Sequence, residues 1–168
     1  MKKSALTVLF VLAATPAAFA ADIVTIQRHM GFNEDAEVPK AVLEECKLDG
    51  EMPRAVAESA LNAGTTVNFA EKVDGTEPGR VLWMEIADVM SDGNGFIGHR
   101  KSITVKGKLY EDGKVVGSFK DRRSSMGGAF GGFKGSCSVL VRTANAIGED
   151  IAHWLSAPKM DDKLGDLE

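Results

Sequence analysis

The sequence predicts an α+β fold: a two-layer sandwich in which one mixed, largely antiparallel sheet of about four to five strands packs against two helices. Three observations predict it. An amphipathic stripe runs at helical spacing through 136–155, and a shorter helical pattern begins near Glu51. Between them, 65–120 is filled by strand-like segments with an Asp-Gly turn. Helices and strands therefore occupy separate stretches of the chain.

The segment before the first helix predicts extended structure. Residues 22–29 alternate weakly between apolar and polar and could form a short strand or an extended arm. Residues 31–39 are polar and predict a loop. The composition of 40–48 suits a helix, but Pro39 and Asp49-Gly50 bound a strand-sized segment. We expect 40–48 to be a strand that leads into a helix.

The first helix and the two strands after it have clearer boundaries. Pro53 falls in the first helical turn, where its missing N–H is tolerated, and Gly64 supplies a left-handed cap at the other end. Residues 65–72 are rich in β-branched and aromatic side chains, which predicts a strand. Residues 80–90 are apolar on both faces, so we place them centrally in the sheet.

The second half of the chain predicts a hairpin and a long helix. Apolar residues alternate with polar ones over 103–109, and Glu111-Asp-Gly-Lys114 is a hairpin turn that returns the chain as a strand over 115–120. The last helix is predicted from about Ser136 to Leu155. Its apolar stripe is formed by Leu140, Ala144, Ile147, Ile151 and Leu155.

The ends of the chain differ from its middle. Residues 1–20 have a basic start, a short apolar core and an Ala18-Phe19-Ala20 box, which is the pattern of a secretory signal peptide. We expect 21–158 to form a single domain and the charged tail 159–168 to be disordered. The apolar run is too short to span a membrane. We therefore expect a periplasmic protein without an integral membrane segment after cleavage.

Charge and motifs exclude several classes of function. The net charge of −4 argues against nucleic acid as the main partner, because no net positive field attracts phosphates. Gly93–Gly98 matches the dinucleotide pattern, but strand-like residues follow where a helix is needed. The histidines lack metal-ligand spacing, and no serine lies in a nucleophile elbow. We predict no catalytic residue, metal or cofactor.

The two cysteines, Cys46 and Cys137, predict a disulfide. An isolated pair in an oxidising compartment usually forms one. Two separately buried thiols are the alternative. A catalytic thiol is disfavoured because no Cys-x-x-Cys pair is present.

A glycine-rich stretch at 127–135 precedes the last helix. The free N–H groups of that helix start, together with Arg122, Arg123, Lys134 and Ser136, could bind a phosphate or a carboxylate. The first alternative is a close-packed connection without a ligand. The second is a surface whose missing side chains allow a partner or a lipid to approach closely.

Two stretches carry a resemblance to known proteins. Residues 46–64 (CKLDGEMPRAVAESALNAG) and the glycine-bearing segments from Gly93 to Leu155 resemble small, signal-bearing proteobacterial proteins of unassigned function. The layout of a strand and helix, a meander and a closing helix also resembles the amino-terminal domain of TolB and the curli-secretion lipoprotein CsgG. Neither resemblance implies catalytic residues.

These observations favour a non-enzymatic periplasmic protein that binds a protein partner or stabilises an envelope assembly. A small-ligand or anion-binding module built on the glycine-rich loop is the first alternative. A hydrolase or metal enzyme without a recognisable motif is the second. The sequence does not predict an oligomeric state.

Overall fold

A computed structural model of the chain describes residues 22–91, 100–126 and 135–168. In these ranges it has the predicted α+β class, with a seven-stranded mixed sheet and three helices rather than four to five strands and two helices. The predicted signal peptide 1–20 and the glycine motif Gly93–Gly98 lie outside the described residues, as does 127–134 of the glycine-rich stretch.

The strands and the helices are each numbered in the order in which they occur along the chain. The strands are β1 (Asp22–Gln27), β2 (Gly31–Phe32), β3 (Thr65–Ala70), β4 (Arg80–Ser91), β5 (Arg100–Glu111), β6 (Lys114–Met126) and β7 (Asp162–Gly165). The helices are α1 (Lys40–Glu45), α2 (Leu48–Asn62) and α3 (Ser136–Leu155).

The sheet has an antiparallel centre and parallel edges. Its strand order is β3-β1-β4-β5-β6-β7, and β2 also pairs with β4. The long strands β4, β5 and β6 are antiparallel neighbours. β1 pairs in parallel with β3 and β4, and β7 pairs in parallel with β6. The meander that the sequence predicts therefore forms the middle of a wider sheet.

The two long helices cover one face of this sheet. Apolar side chains of β1, β4 and β5 meet the buried stripe of α3, in which Leu140, Ile147 and Ile151 are fully buried. Since successive residues of a strand point to opposite faces, the residues between these apolar positions point away from the helices. We call the exposed part of that second surface, around Trp83, Lys106 and Lys120, the open face; Ser102 and Thr104, further along β5, are buried. None of the helices in the described ranges has the length and apolar character to cross a membrane.

The structure corrects the expectation for the segment before the first long helix. Residues 40–45 form a helix instead of a strand, because Val42 and Cys46 are four residues apart and both are buried on one side. Pro39 stands immediately before this helix, where the fixed φ of proline suits its start. The predicted loop at 31–39 also contains a strand, because Gly31 and Phe32 pair with β4.

The tail at 159–168 contains a strand where the sequence predicts disorder. β7 runs along the outer edge of β6, with Phe119 opposite Asp162 and Asp121 opposite Leu164. The side chain of Leu164 reaches the core and is 7% exposed. A free strand edge offers unpaired backbone groups, so a short segment with a single apolar anchor can pair there despite its charges.

The structure joins Cys46 and Cys137 in the disulfide that the sequence predicts. Their Cα atoms are 4.9 Å apart, within the usual range for such a bond. Because 40–45 is helical, the bond links the end of α1 to the first turn of α3. It fixes the short first helix against the long last one.

Candidate interaction surface

The open face has an aromatic ridge at its centre. Trp83 and Glu85 lie on β4 between the buried residues Leu82, Met84 and Ile86, so alternation directs both away from the helices. Both side chains line two grooves, one on each side of β4. A half-buried tryptophan therefore separates two concavities on the face opposite the described helices.

The first groove, of about 630 Å³, is basic. Lys106 of β5, Lys120 of β6 and Lys163 of β7 are register neighbours, so they form a row across three adjacent strands about 4.8 Å apart. Lys108 lies opposite Trp83 in the neighbouring row. All four lysines are exposed, and none forms an ion pair within the described ranges. We call this concavity the basic groove.

Two aspartates lie at the rim of the basic groove. Asp161 is tied to β6, because its Oδ1 atom accepts a hydrogen bond of 3.1 Å from the Ser118 hydroxyl. Asp162 also lines the groove, and its Oδ1 atom accepts the backbone N–H of Lys163. Neither carboxylate forms an ion pair with a described lysine. Lysines thus outnumber carboxylates along this side of the ridge.

The second groove, of about 520 Å³, is mainly acidic. Glu34, Asp35 and Glu71 line it together with Lys72 and His29. Glu34 and Asp35 are exposed and form no ion pair with described residues, in contrast to Glu71. We call this concavity the acidic groove.

Hydrogen bonds hold the acidic groove against the ridge. Asn33 donates its side-chain amide to Glu85 at 3.2 Å, while its own Oδ1 atom accepts the backbone N–H of Asp35. Glu71 pairs with Arg28 at 3.0 Å. These contacts fix the loop that follows β2 next to β4, so the two grooves keep a defined position relative to Trp83.

A second polar cluster lies on the helix side, under β7. Asp121 of β6 is fully buried, and neither of its carboxylate oxygens has a hydrogen-bond partner among the described residues. Arg123 instead makes a bidentate contact with Asp150 of α3, at 2.5 and 2.6 Å, and lies 3.8 Å from Asp166. A Cβ atom at Gly165 would lie 2.6 Å from Oδ1 of Asp121, so glycine permits β7 to cross here.

The surroundings of Asp121 favour its protonated form. Burial, reinforced by the nearby Asp150 carboxylate, raises the pKa of Asp121 to about 8, although Arg123 acts in the opposite direction. The folded protein therefore keeps a proton that an unfolded aspartate releases above about pH 4. Between these two values the stability falls as the pH rises, and above the higher value it no longer changes.

This linkage predicts the behaviour of Asp121→Asn, which keeps the shape of the neutral acid. The free energy of unfolding of the variant, relative to the unchanged protein, should rise by about 1.4 kcal/mol per pH unit from about pH 4 towards pH 8. Urea titrations at a series of pH values measure this difference. Asn145→Ala, which exchanges one exposed, uncharged side chain of α3 for another, serves as the control and should show no such trend. A pH-independent difference for Asp121→Asn would contradict the assignment.

The anion site that the sequence predicts stays a prediction, but the structure places three of its four residues apart from one another. Arg123 points to the helix side and is held by Asp150, about 21 Å along α3 from Ser136 at a rise of about 1.5 Å per residue. Arg122 directly precedes Arg123 in β6 and therefore points to the opposite side, the open face. Ser136 is exposed at the start of α3, and Lys134 lies outside the described residues.

The described histidines lie apart from one another. The Nδ1 atom of His29 is 3.0 Å from Asp49, and His153 is exposed near the end of α3. His99 lies outside the described ranges. Within those ranges no group of three or more His, Cys, Asp or Glu side chains could hold a metal ion.

Sequence reasoning missed the two grooves. The alternation of Lys106 and Lys108 on a predicted strand did indicate that both would share one face. Their alignment with Lys120 depends on the register of the hairpin, and Lys163 belongs to a tail that carries almost no apolar pattern. The sequence places Trp83 in a central strand but does not indicate the face to which it points, because both faces of 80–90 are apolar.

Solved structures share the fold of this chain at low sequence identity. PelC from Paraburkholderia phytofirmans, solved as a dodecamer, is 16% identical; the match covers 82% of this chain and 93% of PelC with a TM-score of 0.50. A protein of family DUF330 from Xanthomonas campestris is 11% identical, with 88% and 91% covered and a TM-score of 0.56. A minor lipoprotein from Acinetobacter baumannii is 9% identical, with 82% and 92% covered and a TM-score of 0.48.

No protein-family model and no curated protein matches the sequence. The resemblance of the layout to TolB and CsgG stays a prediction. At 11–16% identity the structural matches show a common architecture. The chain thus has the α+β fold seen in PelC and in the DUF330 protein.

Proposed function

We propose that this chain is a non-enzymatic binding module of the bacterial envelope and that the open face of its sheet contacts the partner. The observation that carries the proposal is the Trp83 ridge, which stands between two charged grooves on the face opposite the described helices. Tryptophan is enriched among the residues that dominate binding energy, and it is usually placed near the centre of an interface. Trp83 occupies such a central position.

The charges around the ridge support the same proposal. Lysines that form no ion pair within a chain remain available to a partner, and complementary charges steer and orient association. The four lysines of the basic groove form no ion pair with any residue that the structure describes, in a chain whose net charge is −4. The partner's matching surface would then carry carboxylates or other anions opposite this groove.

The proposed location rests on two features. Residues 1–20 have the pattern of a secretory signal peptide, and the Cys46–Cys137 disulfide is typical of oxidising compartments such as the periplasm. An assembly role is part of the proposal, because PelC, which shares the fold, was solved as a dodecamer. The absence of a recognisable catalytic motif in the sequence favours a binding role over an enzymatic one.

Anion binding is the second candidate function, and the basic groove favours it. Lys106, Lys120 and Lys163 form a row that could hold a ligand with several anionic groups. This candidate places the site on the open face and not at the glycine-rich stretch, and none of Arg122, Arg123 and Ser136 lines the basic groove. Thermal stabilisation by inorganic phosphate or citrate, lost in Lys106→Glu with Lys120→Glu, would support it.

Site-specific photocrosslinking in the bacterium that produces the protein tests the binding module. A photoreactive phenylalanine analogue replaces Lys108, beside the ridge, or Arg142, which is exposed on the outer side of α3. We expect a discrete covalent adduct from the Lys108 position and none from the Arg142 position. Trp83→Ala in the same chain should remove the adduct. Equal adducts from both positions, or no adduct from either, would contradict the proposal.

A further inference from the structure

We infer that the occupant of the open face is a second copy of this chain, bound face to face about a two-fold axis that runs along β4. The inference rests on the proposed function, because it names the partner of the same surface. It draws on the distribution of charge across that surface. The two sides of the ridge carry opposite charge, and a two-fold axis is the symmetry operation that brings opposite sides together.

The charge distribution follows directly from the strand order. The basic groove lies over β5, β6 and β7, on one side of β4, while the acidic groove lies towards β2 and the end of β3 on the other. Rotation by 180° about an axis in the interface and parallel to β4 exchanges the two sides. Each acidic groove then faces the basic groove of the other copy, and both contacts form at once.

The groups on both sides are free to make this contact. Lys106 and Lys120 in one groove, and Glu34 and Asp35 in the other, are exposed and form no ion pair with described residues. Some groups carry the opposite sign: Lys72 lies in the acidic groove, and Glu85, Asp161 and Asp162 lie in the basic one. They are the minority on each side, so each groove keeps its prevailing charge.

The geometry of the sheet suits this mode of pairing. Two twisted sheets pack face to face with their strands nearly aligned, and an axis parallel to β4 keeps the two copies of β4 aligned. Trp83 lies on the ridge beside that axis, so the two indoles would meet at the centre and be removed from water. The dimer would have two sheets inside and the helices of each copy outside.

Charge exchange between two variants tests this arrangement. Lys106→Glu with Lys120→Glu makes both sides of the face acidic, and Glu34→Lys with Asp35→Lys makes both sides basic. Each variant alone should be monomeric because like charges then face one another. Mixed together, the two variants should form a heterodimer. One variant is then acidic on both sides of the ridge and the other is basic on both sides, so both contacts join opposite charges. Light scattering coupled to size exclusion measures the mass.

Several outcomes decide the inference. The dimer of the unchanged protein should have a dissociation constant between about 1 μM and about 1 mM. It should dissociate in about 1 M salt, where the Debye length is only about 3 Å. Lys40→Glu with Lys114→Glu makes the same change of charge away from the open face and should leave the dimer intact. A monomeric unchanged protein, a mixture that stays monomeric, or a control pair that also dissociates would each overturn it.

The two proposals fail separately. If the protein is monomeric but the Lys108 crosslink to another envelope component persists, the open face binds a different partner and the inference of a second copy is wrong. If the dimer forms and survives both Trp83→Ala and the groove variants, the copies meet elsewhere, and this too overturns the inference. Loss of the crosslink together with loss of dimerisation in the groove variants supports both proposals.

Discussion

Replacing both cysteines, as Cys46→Ala with Cys137→Ala, is expected to lower the free energy of unfolding by about 4–5 kcal/mol. The bond closes a loop of 91 residues in sequence, so its removal frees a large part of the unfolded chain. It also releases α1, a helix of six residues in which Val42 is the one buried side chain. A helix this short is not stable by itself.

Urea unfolding with and without reductant measures this loss. The unchanged protein in reductant should lose about as much stability as the double variant in its absence. The double variant should not respond to reductant, which makes it its own control. The double change is used because a single one leaves a reactive thiol. Equal unfolding midpoints for the oxidised protein and the double variant would contradict a stabilising role for the bond.

Adding one methyl group at Gly148 is expected to destabilise the protein, by about 1–3 kcal/mol for Gly148→Ala. Gly148 lies on α3 where it crosses α2. A Cβ atom there would lie 2.6 Å from the backbone oxygen of Ala55 and 3.1 Å from the backbone nitrogen of Val56. Backbone atoms in a helix cannot retreat as a side chain can, so the two helices must separate. Alanine's gain in helix propensity, about 1 kcal/mol, only partly offsets this separation.

Gly50→Ala is the matched control for Gly148→Ala. Gly50 is also helical, but the nearest atom to an added Cβ is 4.0 Å away, so alanine fits without displacement. This variant should be as stable as the unchanged protein or up to about 1 kcal/mol more stable. Thermal unfolding of the three proteins gives the comparison. If Gly148→Ala were as stable as Gly50→Ala, the close crossing of α2 and α3 would be wrong.

Elements with strong local patterns were predicted well from the sequence. The stripe from Leu140 to Leu155 predicts a helix over 136–155, and α3 has these bounds. The Asp112-Gly113 turn predicts the β5–β6 hairpin. Both signals are local: a helical period repeated over five turns and a dipeptide that favours one turn type. Neither depends on contacts distant in sequence.

The elements that the sequence did not predict depend on distant contacts. The register of the hairpin shifts by one residue between Leu109 and Tyr110; without this shift, Lys106 would face Phe119 instead of Lys120. No residue type near the turn specifies such a bulge. β7 forms because the edge of β6 is free, and Leu164 is the one buried side chain of this strand. The basic groove requires both features, so it could not be predicted.

The sequence groups Arg122 and Arg123 on one side of the predicted anion site for a related reason. Arg122 and Arg123 are adjacent, and the sequence treats them as one basic pair near the last helix. In a strand they point to opposite faces, so Arg123 meets Asp150 on the helix side while Arg122 lies on the open face. The predicted strand ends at residue 120, whereas β6 continues to Met126. A prediction of the longer strand would have placed the two arginines on opposite faces.

Lysine footprinting in intact cells tests most directly whether the open face is the contact surface. Acylation of exposed lysines, quantified by mass spectrometry, is compared between cells and the dilute purified protein. We expect the lysines of the basic groove, Lys106, Lys108, Lys120 and Lys163, to be several-fold less reactive in cells. Lys40 and Lys114, away from the groove, should be unchanged. Equal protection of both sets, or no protection of the groove lysines, would contradict the account.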